Sequence, residues 1–153
     1  MTVAPRLAEL GITLPDAPAP AANYVPFVRS GSLVFVSGQI AKDEGGLITG
    51  TLGADTDVAE GARAARVCGL NLIAQLNAAL DGDLDRLVRV VKLTGFVNCT
   101  ADFTQQPAVI NGASDLMVEV FGAAKGSHAR AAVGSPSLPL GVAVEVEGIF
   151  EVS

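Results

Sequence analysis

Arg130 is the residue of this chain whose type and position point most directly to chemistry. After Lys92 the sequence has two cationic residues, Lys125 and Arg130, against six acidic ones. Arg130 precedes a run of small apolar residues, Ala131–Val133, in which a long cation is out of pattern. A guanidinium at a sheet-lined cleft can hold a carboxylate by two parallel hydrogen bonds. The open alternative is a strand-edge arginine that reaches solvent or pairs with a nearby acid.

A second candidate group is a pair of glutamates near the end of the chain. Glu145 and Glu147 alternate with valines, so they lie on the same face of a strand, roughly 7 Å apart. Two carboxylates this close raise each other's pKa, which suits a general base or acid. The alternative is that both belong to the solvated face of an antiparallel strand.

Other familiar catalytic machinery is absent from the sequence. The single histidine, His128, is interpreted as an exposed loop residue, and one histidine cannot form a His-rich metal site. There is no G-x-S-x-G elbow and no glycine-rich nucleotide loop. Cys68 and Cys99 lie 31 positions apart and are predicted to be free, buried thiols. We therefore predict no metal, no organic cofactor and a cytoplasmic location.

Composition and charge exclude several classes of protein. The 153 residues suit one domain, 1–153, and 50% hydrophobic against 17% charged residues exclude a disordered chain. No window offers the roughly 20 apolar residues of a membrane-spanning helix. The net charge is −6, and the basic residues form no cluster beyond Arg63 and Arg66. Nucleic-acid binding needs a basic surface, so we expect none.

The elements that must position these residues follow from hydrophobic patterning and turn signals. Within residues 1–23 the sequence predicts a short helix over Pro5–Leu10, followed by an extended arm. The glycine-rich segment Lys42–Gly53 is predicted to be a loop. Two apolar runs flank the turn Ser30-Gly31, and the second, Leu33–Val36, is predicted to be buried on both faces. The remaining predictions are a helix over Val58–Leu80 capped by Asp55 or Thr56, a strand over Leu87–Val97, a helix over Thr104–Phe121 ending at Gly122, and strands over Ala129–Val133 and Val142–Val152.

This order, β-β-α-β-α-β-β, predicts an α+β fold in which two helices cover one face of one sheet. Several strands are apolar on both sides, so the face without helices needs another cover. A homo-oligomer that packs sheet against sheet is the simplest arrangement.

Three segments resemble one known family. The chain is similar to the YjgF/Rid proteins, the reactive-intermediate deaminases, which are also described as L-PSP endoribonucleases. The similar segments are Tyr24 with VFVSGQ (residues 34–39), HARAAV (residues 128–133) and SLPLGVAVEVEGI (residues 137–149). The resemblance covers about residues 16–152. It implies a chorismate-mutase-like fold and a homotrimer with three clefts between subunits.

The resemblance also implies roles for particular residues. Arg130 would bind the substrate carboxylate, and Glu145 would position or activate water. Tyr24, Ser37 with Gly38, and Asn111 would contact the substrate. The implied reaction is hydrolysis of a 2-imino acid or its enamine to ammonia and a 2-oxo acid. The alternatives are a non-catalytic trimer that binds small carboxylates and, less favoured by the acidic charge, an endoribonuclease.

The chain also departs from the family pattern. Ala22-Asn23 replace a Gly-Pro pair, His128 replaces a proline two residues before the arginine, and Ala132 replaces a frequent cysteine. These differences imply a divergent branch.

Overall fold

The structure, a computed structural model, describes residues 2–20 and 22–153. Its elements follow the predicted order, including the short N-terminal helix, with a small hairpin added after the second strand. The helices are α1 (Val3–Glu9), α2 (Val58–Ala79) and α3 (Gln106–Gly126), and the strands are β1 (Phe27–Ser30), β2 (Leu33–Ile40), β3 (Lys42–Asp43), β4 (Gly46–Leu47), β5 (Leu87–Asn98), β6 (Ala129–Ser135) and β7 (Val144–Val152). The predicted α+β fold is confirmed.

The main sheet has five strands in the order β1-β2-β7-β5-β6. Strand β6 pairs in parallel with β5, and the other neighbours are antiparallel. A parallel pair needs a crossover, and α3 supplies it between β5 and β6. The site-bearing strand β6 is consequently an edge strand, hydrogen-bonded to the sheet on one side only.

Helices α2 and α3 pack on each other and on the same face of the sheet. The core between the helices and the sheet contains Leu72, Leu116 and Phe150, each fully buried. Glycines set how closely the helices approach, because a side chain at Gly112 of α3 would overlap the carbonyl oxygen of Ala62 in α2.

The opposite face of the sheet has no helical cover. In the apolar run Leu33–Val36 of β2, Val34 and Val36 are buried but Phe35 between them is 42% exposed, so burial of this run on both faces does not occur within one chain. Val28 and Val133 are exposed as well. We call this surface the open face.

The start of α2 differs from the prediction. Asp57, rather than Asp55 or Thr56, is the N-cap, and its side chain accepts a hydrogen bond from the Glu60 amide. Asp55 instead accepts from the Thr51 amide and the Thr56 hydroxyl, which closes the preceding turn. Both aspartates could cap a helix, and the loop contacts decide which one does.

Helix α3 departs from its predicted end. Gly122 has a positive φ of 81°, which interrupts the helix, but helical turns resume and continue to Gly126. The residues after Gly122 therefore fold back towards the helix. A side chain at Gly126 would collide with the backbone of Met117 and Val118, so this close return requires glycine.

Smaller differences concern the ends of elements and the early loop. The segment predicted as loop contains the hairpin β3-β4, in which Asp43 Oδ1 accepts from the Gly45 amide. Helix α1 begins at Val3, whose amide donates to Asp85, rather than at Pro5. Strand β7 begins at Val144, because Val142 pairs with Thr49 in an isolated bridge.

Candidate functional site

Arg130 points to the helix-covered side of the sheet and contacts α3. Its Nη1 donates to Asn111 Oδ1 at 2.8 Å and to Ser114 Oγ at 3.2 Å. Its Nη2 donates to the Pro107 carbonyl at 3.4 Å. None of the described carboxylates lies within ion-pair distance of Arg130. The explanation of Arg130 as one half of a salt bridge therefore does not hold within this chain.

The contacts of Arg130 leave part of its guanidinium available. Of its five N–H groups, two on Nη1 and one on Nη2 are directed at α3. The Nε–H and the second Nη2–H have no partner among the described residues. These two groups are on adjacent nitrogens, which is the arrangement that can bind both oxygens of a carboxylate.

Asn111 lies beside Arg130, as a shared site requires. Its amide oxygen accepts from the guanidinium, and the residue is exposed near the start of α3. Within this chain Asn111 contacts Arg130, and direct contact of Asn111 with a substrate stays a prediction.

His128 lies in a loop, as the sequence suggested, but it is not exposed. It is half-buried between the end of α3 and the start of β6. Its Nδ1 lies 2.6 Å from the Gly126 carbonyl, and its Nε2 lies 2.9 Å from Ser114 Oγ. The turn that follows the kink in α3 brings these groups together, and nothing local in the sequence indicates it.

Glu145 lies on the open face, opposite Ile40 of β2 and Phe96 of β5. Its carboxylate packs over Gly38, where any side chain would overlap Oε1. Burial raises the pKa of Glu145, and the negative charge of Glu147 raises it further. A half-buried carboxylate with a raised pKa is suited to accept and return a proton near neutral pH. Glu147 itself is exposed.

Ser37 and Gly38 lie next to Glu145 because strand β2 is irregular there. The register with β7 shifts between Val36 and Gln39, which places Ser37 and Gly38 in a bulge. Ser37 donates from its amide to the Pro26 carbonyl at 2.9 Å and from its hydroxyl to the Val25 carbonyl at 3.2 Å. These bonds fix the segment that follows Tyr24, whose side chain is 48% exposed.

Two buried glutamines support this bulge and were missed in the sequence. Gln39 Nε2 donates to the Ser37 carbonyl at 3.0 Å. Gln75 Nε2, on α2, lies 3.4 Å from Gln39 Oε1 and donates to the Pro18 carbonyl at 2.6 Å. The N-terminal arm is thereby connected to Ser37 through the core. The available signal was Gln75 itself, a polar residue among the buried apolar positions of α2.

The predicted site residues thus form two separate groups in one chain. The first, the arginine group, contains Arg130 with Asn111 and faces α3. The second, the glutamate group, contains Glu145 with Gly38, Ser37 and the Tyr24 segment, and it lies on the open face. Strand β5 separates β7 from β6, so the two groups are on different strands as well as different faces. A single chain does not bring Arg130 and Glu145 to one cleft.

Two cavities of the chain lie apart from both groups. One of about 360 Å³ lies where β5 and β6 end, lined by residues that include Cys99, Gln106 and Gly134. Another of about 200 Å³ lies on the open face beside Lys92 and Glu147. Neither is lined by Arg130 or Glu145.

Two further searches cover the residues that the structure describes. Among them, no three His, Cys, Asp or Glu side chains are grouped so that they could hold a metal ion. None of the helices in the described ranges has the length and apolar character needed to cross a membrane.

Comparison with known proteins finds similarity along almost the whole chain. A family model described as "YjgF/chorismate_mutase-like, putative endoribonuclease" matches residues 4–151. Protein TCP17 of Trypanosoma cruzi is 55% identical over 152 residues, which cover 99% of this chain and 94% of that protein.

Solved structures share the fold. The crystal structure of a "putative endoribonuclease" from Shewanella oneidensis has 37% identity and a TM-score of 0.94, covering 99% of this chain and 100% of that one. The crystal structure of TdcF from E. coli, which contains bound serine, has 26% identity and a TM-score of 0.62, covering 90% of this chain and 94% of that one.

Proposed function

Because this chain belongs to the YjgF/chorismate-mutase-like family, we propose that it is a 2-imino acid hydrolase whose active site forms between copies of the chain. The observation that carries the proposal is the division of the site. The arginine group has two free N–H donors and the glutamate group has a half-buried carboxylate, but the two groups lie on different faces of the sheet. Association of chains through the open face would let the arginine group of one copy meet the glutamate group of another.

The arginine group supplies the carboxylate-binding half. Arg130 keeps Nε–H and one Nη2–H free, while α3 holds the rest of the guanidinium. A 2-imino acid would bind these two groups by its carboxylate, which fixes the adjacent C=N bond in the cleft. TdcF, whose crystal structure contains serine, supports a ligand with a carboxylate next to a nitrogen-bearing carbon.

The glutamate group supplies the water. Glu145 would accept a proton from a bound water as its oxygen attacks the imine carbon, and would deliver that proton to the imine nitrogen to give a carbinolamine. Glu145 would then pass the hydroxyl proton to the nitrogen. The C–N bond breaks, ammonia leaves, and the C–O bond becomes the carbonyl of a 2-oxo acid. The carboxylate is regenerated, and the sum of the reaction is imine plus water giving ketone plus ammonia.

The residues near Glu145 would orient the substrate. Ser37 and Gly38 form a bulge that lies against the carboxylate, and Gly38 leaves the approach to Glu145 free of a side chain. Tyr24 would contribute its exposed side chain from the segment that Ser37 holds.

Association through the open face has its own support. This face carries exposed Phe35, Val28 and Val133 beside the glutamate group. Large apolar side chains on an exposed sheet surface are typical of an interface between subunits. We propose a homotrimer, as the family resemblance implies.

An endoribonuclease is the second candidate, because the family description names that activity. The net charge of −6 and the small number of clustered basic residues disfavour binding to a polyanion. A non-catalytic trimer that binds small carboxylates is the third candidate, and it would use Arg130 without Glu145.

One assay separates the three candidates. Freshly generated 2-aminoacrylate, which tautomerises to 2-iminopropanoate, is incubated with purified protein, and ammonia and pyruvate release are followed. We expect release faster than the spontaneous rate, and its loss in Arg130→Ala. Pyruvate binding without any acceleration would identify the carboxylate-binding trimer. Cleavage of RNA that is lost in Arg130→Ala, with no effect on 2-aminoacrylate, would identify the ribonuclease.

A further inference from the structure

A continuous hydrogen-bonded path connects the end of α3 to Arg130. The Gly126 carbonyl lies 2.6 Å from His128 Nδ1, and His128 Nε2 lies 2.9 Å from Ser114 Oγ. Ser114 Oγ in turn lies 3.2 Å from Arg130 Nη1. We call Ser114 and His128 the relay residues. Neither belongs to the groups that the proposed reaction uses.

With a neutral His128 ring, the direction of every bond in this path follows from its two ends. A carbonyl oxygen only accepts, so His128 Nδ1 carries a proton and donates to Gly126. In the neutral imidazole Nε2 is then an acceptor, and the Ser114 hydroxyl donates to it. A guanidinium only donates, so the Ser114 oxygen accepts from Arg130 Nη1. All donors and acceptors are matched, and the hydroxyl has one orientation.

The starting point of the path is itself fixed. Gly126 is buried and returns against the backbone of Met117 and Val118 because the chain breaks at Gly122. Its carbonyl is therefore a stationary acceptor. Arg130, by contrast, lies on an edge strand, and its other side-chain partner, Asn111, is exposed. The relay residues, which are half-buried, therefore supply the more protected hydrogen bond to the guanidinium.

We infer that His128 and Ser114 are positioning residues that hold the Arg130 guanidinium so that its free edge, Nε–H and one Nη2–H, faces the substrate carboxylate. The inference rests on the proposed function, because it assigns these residues to the carboxylate-binding half of that site. Their contribution should appear in carboxylate binding and not in the proton transfer at Glu145. Loss of the relay therefore raises KM and the Kd for a 2-oxo acid, and it leaves kcat close to the wild-type value.

The test compares Ser114→Ala with Ser114→Thr, which keeps the hydroxyl. We expect Ser114→Ala to raise KM for 2-iminopropanoate and the Kd for pyruvate by about ten-fold or more, the usual effect of losing a hydrogen bond to a charged group. Ser114→Thr should restore most of the affinity. Ser127→Ala is the matched control, because Ser127 is exposed and its hydroxyl makes no hydrogen bond among the described residues.

Two histidine variants separate the relay from a simple helix cap. In His128→Asn the amide nitrogen can replace Nδ1 at the Gly126 carbonyl, but nothing replaces Nε2. In His128→Gln the amide reaches the position of Nε2 and can accept from Ser114. We expect His128→Asn to behave like Ser114→Ala and His128→Gln to bind pyruvate more tightly than His128→Asn. Where a variant melts below the assay temperature, its conservative counterpart still decides the question.

The results distinguish this inference from the proposed function. If Ser114→Ala and His128→Asn keep wild-type KM and pyruvate Kd while Arg130→Ala loses both, the relay has no positioning role and the inference is wrong. If kcat falls and KM stays unchanged, the effect is not on carboxylate binding, and the inference is also wrong. If Arg130→Ala itself retains wild-type binding and turnover, the proposed function fails.

Discussion

Arg130 is held by three acceptors on one helix, which limits what can replace it. Lysine would keep the positive charge but has a single nitrogen, so it cannot contact Asn111 and Ser114 and also offer two parallel donors to a carboxylate. A buried charged contact of this kind is worth roughly 2–5 kcal/mol. We expect Arg130→Lys to lower kcat/KM by at least about 30-fold, with weaker binding of 2-oxo acids. Steady-state kinetics and pyruvate titration measure both, and a variant with wild-type KM would contradict the two-point contact.

Glu145 and Glu147 provide a matched pair for testing the base. Glu145→Gln preserves shape and removes the proton acceptor, so kcat should fall by about 100-fold or more while ligand binding survives. Glu147→Gln removes a neighbouring exposed carboxylate that has no role in the proposed mechanism, and turnover at neutral pH should stay close to wild type. Equal activity of the two variants would show that Glu145 is ordinary strand surface.

In the proposed mechanism, the raised pKa of Glu145 sets the acidic limb of the pH profile. A base must be ionised, so turnover should fall as pH drops through a value above 4.5, the ordinary pKa of a glutamate. Burial is the larger cause of the raised pKa and the charge of Glu147 the smaller. In Glu147→Gln the limb should therefore move to lower pH without reaching the ordinary value. A pH–rate profile of both proteins measures this, and an unmoved limb would mean that the two carboxylates do not interact.

At the scale of the elements, patterning was sufficient wherever burial follows a regular period. The alternation of Val144, Val146 and Phe150 with Glu145 and Glu147 predicted the two faces of β7, and the structure has them so. The order of strands and helices followed from the same kind of reasoning. The faces of a strand and the order of the elements can be predicted because both depend on residues that are close in the sequence.

What the sequence did not reveal depends on contacts between distant segments. His128 is half-buried because α3 breaks at Gly122 and turns back, and Gln75 reaches Pro18 across 57 positions. The predicted N-cap of α2 was wrong because the Asp55 side chain accepts a hydrogen bond from the Thr51 amide instead. The division of Arg130 and Glu145 between two faces was also invisible, since it requires the register of β5 with β6 and β7.

The crossing of α2 and α3 depends on Gly112. A Cβ at this position would overlap the Ala62 carbonyl, so Gly112→Ala should force the helices apart. Alanine is the better helix former by about 1 kcal/mol, but overpacking typically costs about 1–3 kcal/mol. We expect a net loss in the free energy of unfolding, measured by urea denaturation. Asp115→Ala, at an exposed position of the same helix, should change it by less than about 0.5 kcal/mol, and a stabilised Gly112→Ala would contradict the close approach.

At the scale of the whole molecule, the proposed site requires more than one chain. The open face presents Phe35 and other apolar side chains on the same side of the sheet as the glutamate group, while the arginine group lies towards the helices at β6. Sheet-to-sheet association would cover the open face. It would also let the arginine group of a neighbouring copy reach the edge of the glutamate group. Stability, assembly and activity should therefore be coupled, and sedimentation should give about three times the chain mass of 15.5 kDa.

Mixing two inactive variants tests the shared site directly. Arg130→Ala lacks the carboxylate anchor and Glu145→Gln lacks the base, so each homo-oligomer should be inactive. When differently tagged chains are co-expressed and mixed trimers are isolated, some interfaces combine Arg130 of one chain with Glu145 of its neighbour. Each mixed cyclic trimer has one such interface among its three, so about one third of its sites are restored, and the activity of the isolated mixed trimers should recover to about that fraction of wild type. If both residues acted within one chain, every mixed trimer would stay inactive, because no chain in it carries both. Separately purified variants combined without exchange of subunits provide the control and should remain inactive.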